Sequence, residues 1–193
     1  MKIWLLFLAF VLGSCSGGGS SKAWKRAPVV EVDRSGQGVN IKGQLIAPEV
    51  LAHSSHWPNK VGGIVRFRGR DGVIVKRVIE SIFHVGHDLA LLRLSEKVDP
   101  ENHFIARVAV AELGAPVTMM RHWGREPLGT VMREKADGFL FAWAKKDWII
   151  SGDSGGSWYQ DQDEEVVLVG HSFRGGHGGR SPDYAKLLNV GLK

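Results

Sequence analysis

The stretch Ser151-Gly152-Asp153-Ser154-Gly155-Gly156-Ser157 combines a nucleophile with the backbone freedom to use it. Glycines around Ser154 let the chain pass close to a bound carbonyl. They also let the amides of Gly152 and Ser154 point into one spot, as an oxyanion hole requires. A serine hydroxyl is a weak nucleophile alone, so a histidine base and a carboxylate to orient it must come from elsewhere. Two upstream segments offer them: Ala52-His53-Ser54-Ser55-His56-Trp57 and His84-Val85-Gly86-His87-Asp88-Leu89. Asp88 opens an apolar strand, where a low local dielectric would strengthen its bond to an imidazolium.

The order His, Asp, Ser with these surroundings resembles the chymotrypsin/trypsin-like serine proteases. Gly152 to Gly156 matches the family's Gly-Asp-Ser-Gly-Gly, and Asp88-Leu89-Ala90-Leu91-Leu92-Arg93-Leu94 matches its Asp-Ile-Ala-Leu-Leu-x-Leu strand. Gly43 to Ala47, leading to Leu51-Ala52-His53-Ser54-Ser55-His56, matches its strand ending in small-small-His. The register selects His56 over His53. The resemblance implies a His56-Asp88-Ser154 triad, a polypeptide substrate cleaved through an acyl-enzyme, and no metal or organic cofactor. It also implies that activity falls on acidification, because the base must be neutral.

Leu168-Val169-Gly170-His171-Ser172-Phe173 resembles the strand that lines the family's substrate cleft. Trp148 stands six before the nucleophile, where trypsin-type members keep an aspartate, so a pocket for basic side chains is not expected. His171 falls where the glutamyl-endopeptidase branch places a histidine against a substrate carboxylate. With Arg174 beside it, a preference for acidic side chains is the resulting expectation. Trp148, His171, Ser172, Phe173 and Arg174 are thus the expected substrate-binding set. Trp57 replaces the family's cysteine after the catalytic histidine, as in a bacterial, disulfide-free branch. Asp153 must find a partner other than a free amino terminus, and no zymogen switch is expected.

Three other readings compete. Gly152 to Gly156 also satisfies the nucleophile elbow of α/β-hydrolases, but that fold needs a helix straight after the serine, whereas 158–163 reads as a hairpin turn. His53 and His56, or His84, His87 and Asp88, could ligate a metal, although paired histidines at this spacing need a helix to aim both rings. The third is a catalytically silent, lipid-anchored protease-like domain acting as a binding module.

The elements that must position these residues read as strands. Short β-branched or apolar runs recur at 28–32, 39–47, 61–67, 73–81, 89–94, 104–110, 116–121, 129–134, 138–144 and 166–172. Turn residues punctuate them, and the chain holds 25 glycines. Only 184–190 reads as a helix. This spacing argues for an all-β architecture, and the family resemblance makes it two packed six-stranded antiparallel barrels with a short C-terminal helix. A soft boundary near 98–102 divides the body into barrels at 28–99 and 100–193.

Residues 1–14 read as a signal peptide. Lys2 supplies the positive charge, and the apolar run from Ile3 to Leu12 is too short for a membrane span, which needs roughly 20 residues. Leu12-Gly13-Ser14-Cys15 resembles a bacterial lipobox, making Cys15 the expected lipidation site and 15–27 a flexible tether. The expected address is the cell envelope, at the outer membrane or periplasmic face where two membranes exist, because Ser16 is not an inner-membrane retention aspartate; the alternative is plain secretion with a chance cysteine at 15. The single cysteine excludes an intramolecular disulfide and any multi-cysteine metal site. The formal charge of +5 comes from scattered Lys and Arg interleaved with acids, which excludes a nucleic-acid footprint. Arg66, Arg68, Arg70, Lys76 and Arg77 read as the solvated face of a hairpin. A monomer is expected.

Overall fold

Alternating apolar runs and glycine turns fold as strands throughout the computed structural model. It describes residues 30–33, 40–56, 59–69, 71–121, 124–133, 139–143, 154–163, 165–173 and 178–191. The signal and tether expectations, with Cys15, lie outside these residues. The first six strands are β1 (Val30–Asp33), β2 (Asn40–Ala47), β3 (Val50–Ser54), β4 (Ile64–Arg68), β5 (Ile74–Gly86) and β6 (Leu89–Leu94). They close into an antiparallel barrel in the order β1-β2-β3-β6-β5-β4. Closure leaves no sheet edge exposed.

The second set comprises β7 (Arg107–Val108), β8 (Pro116–Arg121), β9 (Gly124–Arg133), β10 (Phe139–Trp143), β11 (Ser157–Gln162), β12 (Glu165–His171) and β13 (Gly178–Pro182). These form one sheet in the order β13-β10-β9-β8-β11-β12-β7. It has seven strands where six were expected. The chain leaving the first barrel lays two residues, Arg107 and Val108, parallel to β12 before turning into β8. The sheet curls until β12 meets β13. A Cβ at Gly170 would stand 1.9 Å from the Ser181 hydroxyl and 2.6 Å from the Pro182 carbonyl. Beyond the strand end, the Phe173 amide donates to the Arg180 carbonyl at 2.8 Å.

Side-chain alternation explains why the central strands look uniformly apolar. On β6, Leu92 and Leu94 face the interior of the first barrel with Leu45, Leu51, Val65, Phe67 and Ile79. Their neighbours Leu89 and Leu91 face the other way, into a core between the barrels with Leu168, Tyr159 and Tyr184. Strand β12 divides similarly: Val167 and Val169 enter the second barrel, while Val166 and Leu168 enter the shared core. Strands covered on both faces carry continuous hydrophobic runs because neither face meets water.

Two sequence expectations change. Residues 158–163 form strand β11 up to Gln162, with Trp158, Tyr159 and Gln160 buried, and only Asp163 at φ 48° belongs to the turn. Polar Gln160 and Gln162 disguised that strand; their amides are satisfied by the carbonyls of Glu112 and Val110. Strand β13 was also not anticipated, because Gly178 and Gly179 read as loop; it pairs antiparallel with β10. A strand following Ser154, not a helix, removes the α/β-hydrolase reading. The expected helix at 184–190 is α1 (Tyr184–Leu187). The Asp183 side chain caps it by accepting from the Lys186 amide. Asn189 at φ 55° ends it, with the Val190 amide on the Ala185 carbonyl and the Asn189 amide on the Lys186 carbonyl. That pattern is a Schellman motif, so 189–190 terminate the helix and do not extend it.

Candidate active site

Asp88 is set by a tight hairpin. Gly86 pairs with Leu89, leaving His87 and Asp88 as a two-residue loop with φ of 49° and 73°. Positive φ at both positions is the type I′ geometry, which matches the strand twist, and aspartate tolerates it better than most residues. The turn places the Asp88 side chain at the mouth of β6, where it is only 3% exposed.

Donors converge on that buried carboxylate. The strand β3 ends at Ser54, and the Ser55 amide bonds the Asp88 carbonyl at 2.7 Å, folding the next residues over the aspartate. The His56 amide donates to Asp88 Oδ1 at 2.7 Å, and His56 Nδ1 lies 2.9 Å from both carboxylate oxygens. The Ser54 hydroxyl donates to Oδ2 at 2.6 Å, and that of Ser55 to Oδ1 at 3.3 Å. Ser54 Oγ also lies 2.7 Å from His56 Nδ1. Burial pushes the Asp88 carboxyl up, but bonds from His171, Ser54 and His56 outweigh it and hold the group well below the usual carboxylate range. Asp88 is therefore an anion that can hold an imidazole Nδ1–H, leaving the opposite ring nitrogen to act as a base. The His56 side chain is 35% exposed, open on one side.

His171 is placed differently from the expected substrate contact. It is 1% exposed, with Nε2 3.2 Å from Asp88 Oδ2 and Nδ1 2.7 Å from the Tyr184 hydroxyl. Both ring nitrogens are engaged, so in this structure it meets the aspartate and not the cleft. Burial lowers its basicity, and the Asp88 anion only partly restores it. Ser172 also turns inward. Its hydroxyl accepts from Trp158 Nε1 at 2.8 Å and contacts the Met119 sulfur at 2.7 Å. Its backbone is paired with the nucleophile turn: the Gly155 amide donates to the Ser172 carbonyl at 2.8 Å, and the Ser172 amide to the Gly156 carbonyl at 2.9 Å.

That pairing ties the turn to the histidines. Ser154 is partly exposed immediately before Gly155, whose φ of 82° needs a glycine. The two glycines after it are laddered to Ser172, the neighbour of His171, and His171 reaches Asp88. Phe173 is half-buried with its ring 6.1 Å edge-on from the His56 ring and stacked on Phe139 at 5.7 Å. The Arg180 guanidinium lies 3.9 Å above Phe139, and His87 meets the same ring at 4.9 Å. An aromatic wall thus flanks the exposed side of His56.

The structure brings together His56, Asp88 and His171, with Phe173 against the first. Gly152, Asp153, Trp148 and Arg174 lie outside the described residues. His53 is buried within β3, and among the described residues no three His, Cys, Asp or Glu side chains are arranged to hold a metal ion. Sequence reasoning missed Ser54, Ser55, Tyr184 and Phe139. The serines adjoining His56 were a usable signal; Tyr184 and Phe139 reach the site only through tertiary folding.

No protein-family model and no curated protein matches the sequence. Among solved structures, a kallikrein-related peptidase 10 superposes with a TM-score of 0.67 at 16% identity, covering 91% of this chain and 96% of that one. The fold is that of a chymotrypsin-like serine protease. At this identity the likeness is one of fold, which many sequences can satisfy. The His56–Asp88 pair comes from the first barrel, while Ser154 precedes β11 of the second.

Proposed function

We propose that the protein is a serine endopeptidase in which His56, Asp88 and Ser154 cleave peptide bonds through an acyl-enzyme. The observation that carries the reading is the buried Asp88 carboxylate holding His56 Nδ1 at 2.9 Å on the edge of a protease-like fold. Ser154 attacks the substrate carbonyl and His56 takes its proton; Asp88 holds the tautomer and stabilises the imidazolium that forms. The amides of Gly152 and Ser154 bind the oxyanion. His56 then returns the proton to the leaving amine and activates water to release the acyl group.

Trp148 supports a pocket that does not accept basic side chains. The acidic preference loses one of its two supports, since His171 is directed at Asp88. Acylation of Cys15 would tether the enzyme at the cell envelope, facing a polypeptide substrate. Incubation with an unstructured peptide mixture, followed by mass spectrometry of the products, is expected to give new termini with the wild type and none with Ser154→Ala. Identical products from both would overturn the assignment, and cleavage mainly after Lys or Arg would overturn the role of Trp148.

A further inference from the structure

Behind the His56–Asp88 pair lie two buried groups that the hydrolytic steps do not use. His171 at the end of β12 and Tyr184 at the start of α1 are each 1% exposed. Their contacts have a direction. Asp88 is ionised and can only accept, so the proton at the 3.2 Å contact sits on His171 Nε2. A neutral imidazole then presents Nδ1 as an acceptor, and the Tyr184 hydroxyl, 2.7 Å away, donates to it. The Asp183 cap fixes the first turn of α1 and so the tyrosine.

We propose that His171 is a positioning residue: a buried, neutral imidazole, its tautomer set by Tyr184, that donates from Nε2 to Asp88 Oδ2 and fixes the carboxylate's orientation toward His56. Without this bond, Oδ2 keeps the Ser54 hydroxyl at 2.6 Å but loses its donor from the second barrel. Among the described residues, the carboxylate is then held from the first barrel alone. His171 therefore couples the barrel carrying Asp88 and His56 to the barrel carrying Ser154, through the strand whose next residue, Ser172, is bonded to Gly155 and Gly156. The titratable groups around it are Asp88 from the β5–β6 turn, His56 beyond β3, Tyr184 from α1 and, further back, Tyr159 from β11.

The kinetic consequences rest on the endopeptidase reading; the tautomer does not. Nitrogen-15 NMR of the full wild-type chain is expected to show His171 as the Nε2–H neutral tautomer from about pH 8 down to about pH 6. An Nδ1–H tautomer, or an imidazolium throughout, overturns the proposal whether or not the protein cleaves anything. In kinetics, His171→Leu is expected to lower kcat roughly tenfold to hundredfold, the effect of losing one bond to a charged group. His171→Gln, whose amide can donate from a similar position, is expected to restore most of it. KM and the ratio of rates on Glu and Gln substrates should stay unchanged in both. A wild-type kcat in His171→Leu, or a loss confined to KM on acidic substrates, overturns it. If the leucine variant fails to fold, the glutamine variant and the wild-type spectrum still decide.

Discussion

Asp88 concentrates the contacts of the proposed site in one residue. Its carboxylate is 3% exposed and yet charged, which is tolerable only because His56, Ser54, Ser55 and His171 surround it with donors. Replacement by asparagine is expected to lower kcat/KM by about 10⁴-fold, since an amide can present a donor to His56 and favour the wrong tautomer. A variant within tenfold of wild type would remove Asp88 from the mechanism. The same carboxyl has a folded value below its unfolded one, so the stability it contributes is present above about pH 4 and drains as pH falls further. His171 acts at milder acidity. Its folded value is depressed, so below about pH 6.5 the unfolded chain takes up the proton first and the fold loses stability. Urea unfolding at pH 7.5 and pH 5.5 should therefore show a smaller acid loss in His171→Gln than in wild type; equal losses would contradict a buried neutral imidazole. The three residues of the proposed triad were legible as candidates because glycines, a strand opening and a histidine segment sit in recognisable local patterns. His171 was placed in the right strand but facing the wrong partner. Alternation assigns a residue to a face, and which groups meet that face is decided by the packing of the two barrels.

At the scale of elements, close approach matters more than propensity. Gly170 is required where β12 crosses β13, because a methyl group would collide with Ser181 and the Pro182 carbonyl. Gly170→Ala is expected to cost about 1–3 kcal/mol as overpacking, read from the denaturant midpoint; an unchanged midpoint would mean that β12 and β13 do not close the sheet. At the other end of the site, Asn189 sits at φ 55° in the Schellman turn of α1. Asn189→Gly should be close to neutral, while Asn189→Ala should lose about 1 kcal/mol. Strands with clean apolar runs were read with accurate bounds: β6 and β8 match at both ends. Strands β11 and β13 were not, since buried glutamines and paired glycines carry no local hydrophobic signal. Only the partner strand reveals that their polar groups are satisfied.

The described residues form two barrels joined through one shared core, and the groups proposed for catalysis are divided between them. Besides the His171–Asp88 bond, a polar contact crosses deep inside that junction, where the buried Tyr159 hydroxyl donates to Gln44 Oε1, while Gln44 Nε2 donates to the Phe104 carbonyl at 3.1 Å. Burial pushes the Tyr159 phenol further up, so it remains a donor at all ordinary pH. Tyr159→Phe strands the buried Gln44 carbonyl and is expected to destabilise by about 1–3 kcal/mol. An unaltered unfolding curve would indicate that the barrels do not depend on this contact. The two-barrel architecture followed from strand spacing together with motif resemblance; the added β7 did not, because two residues are too few to carry a period. The central claim is that this division assembles a working nucleophile at the cleft. The most direct measurement is intact-mass labelling with a fluorophosphonate, comparing wild type with Ser154→Ala and mapping the adduct by peptide sequencing. One adduct on Ser154 in the wild type and none in the variant is the predicted result. No adduct on the wild type, or equal labelling of both proteins, would contradict it.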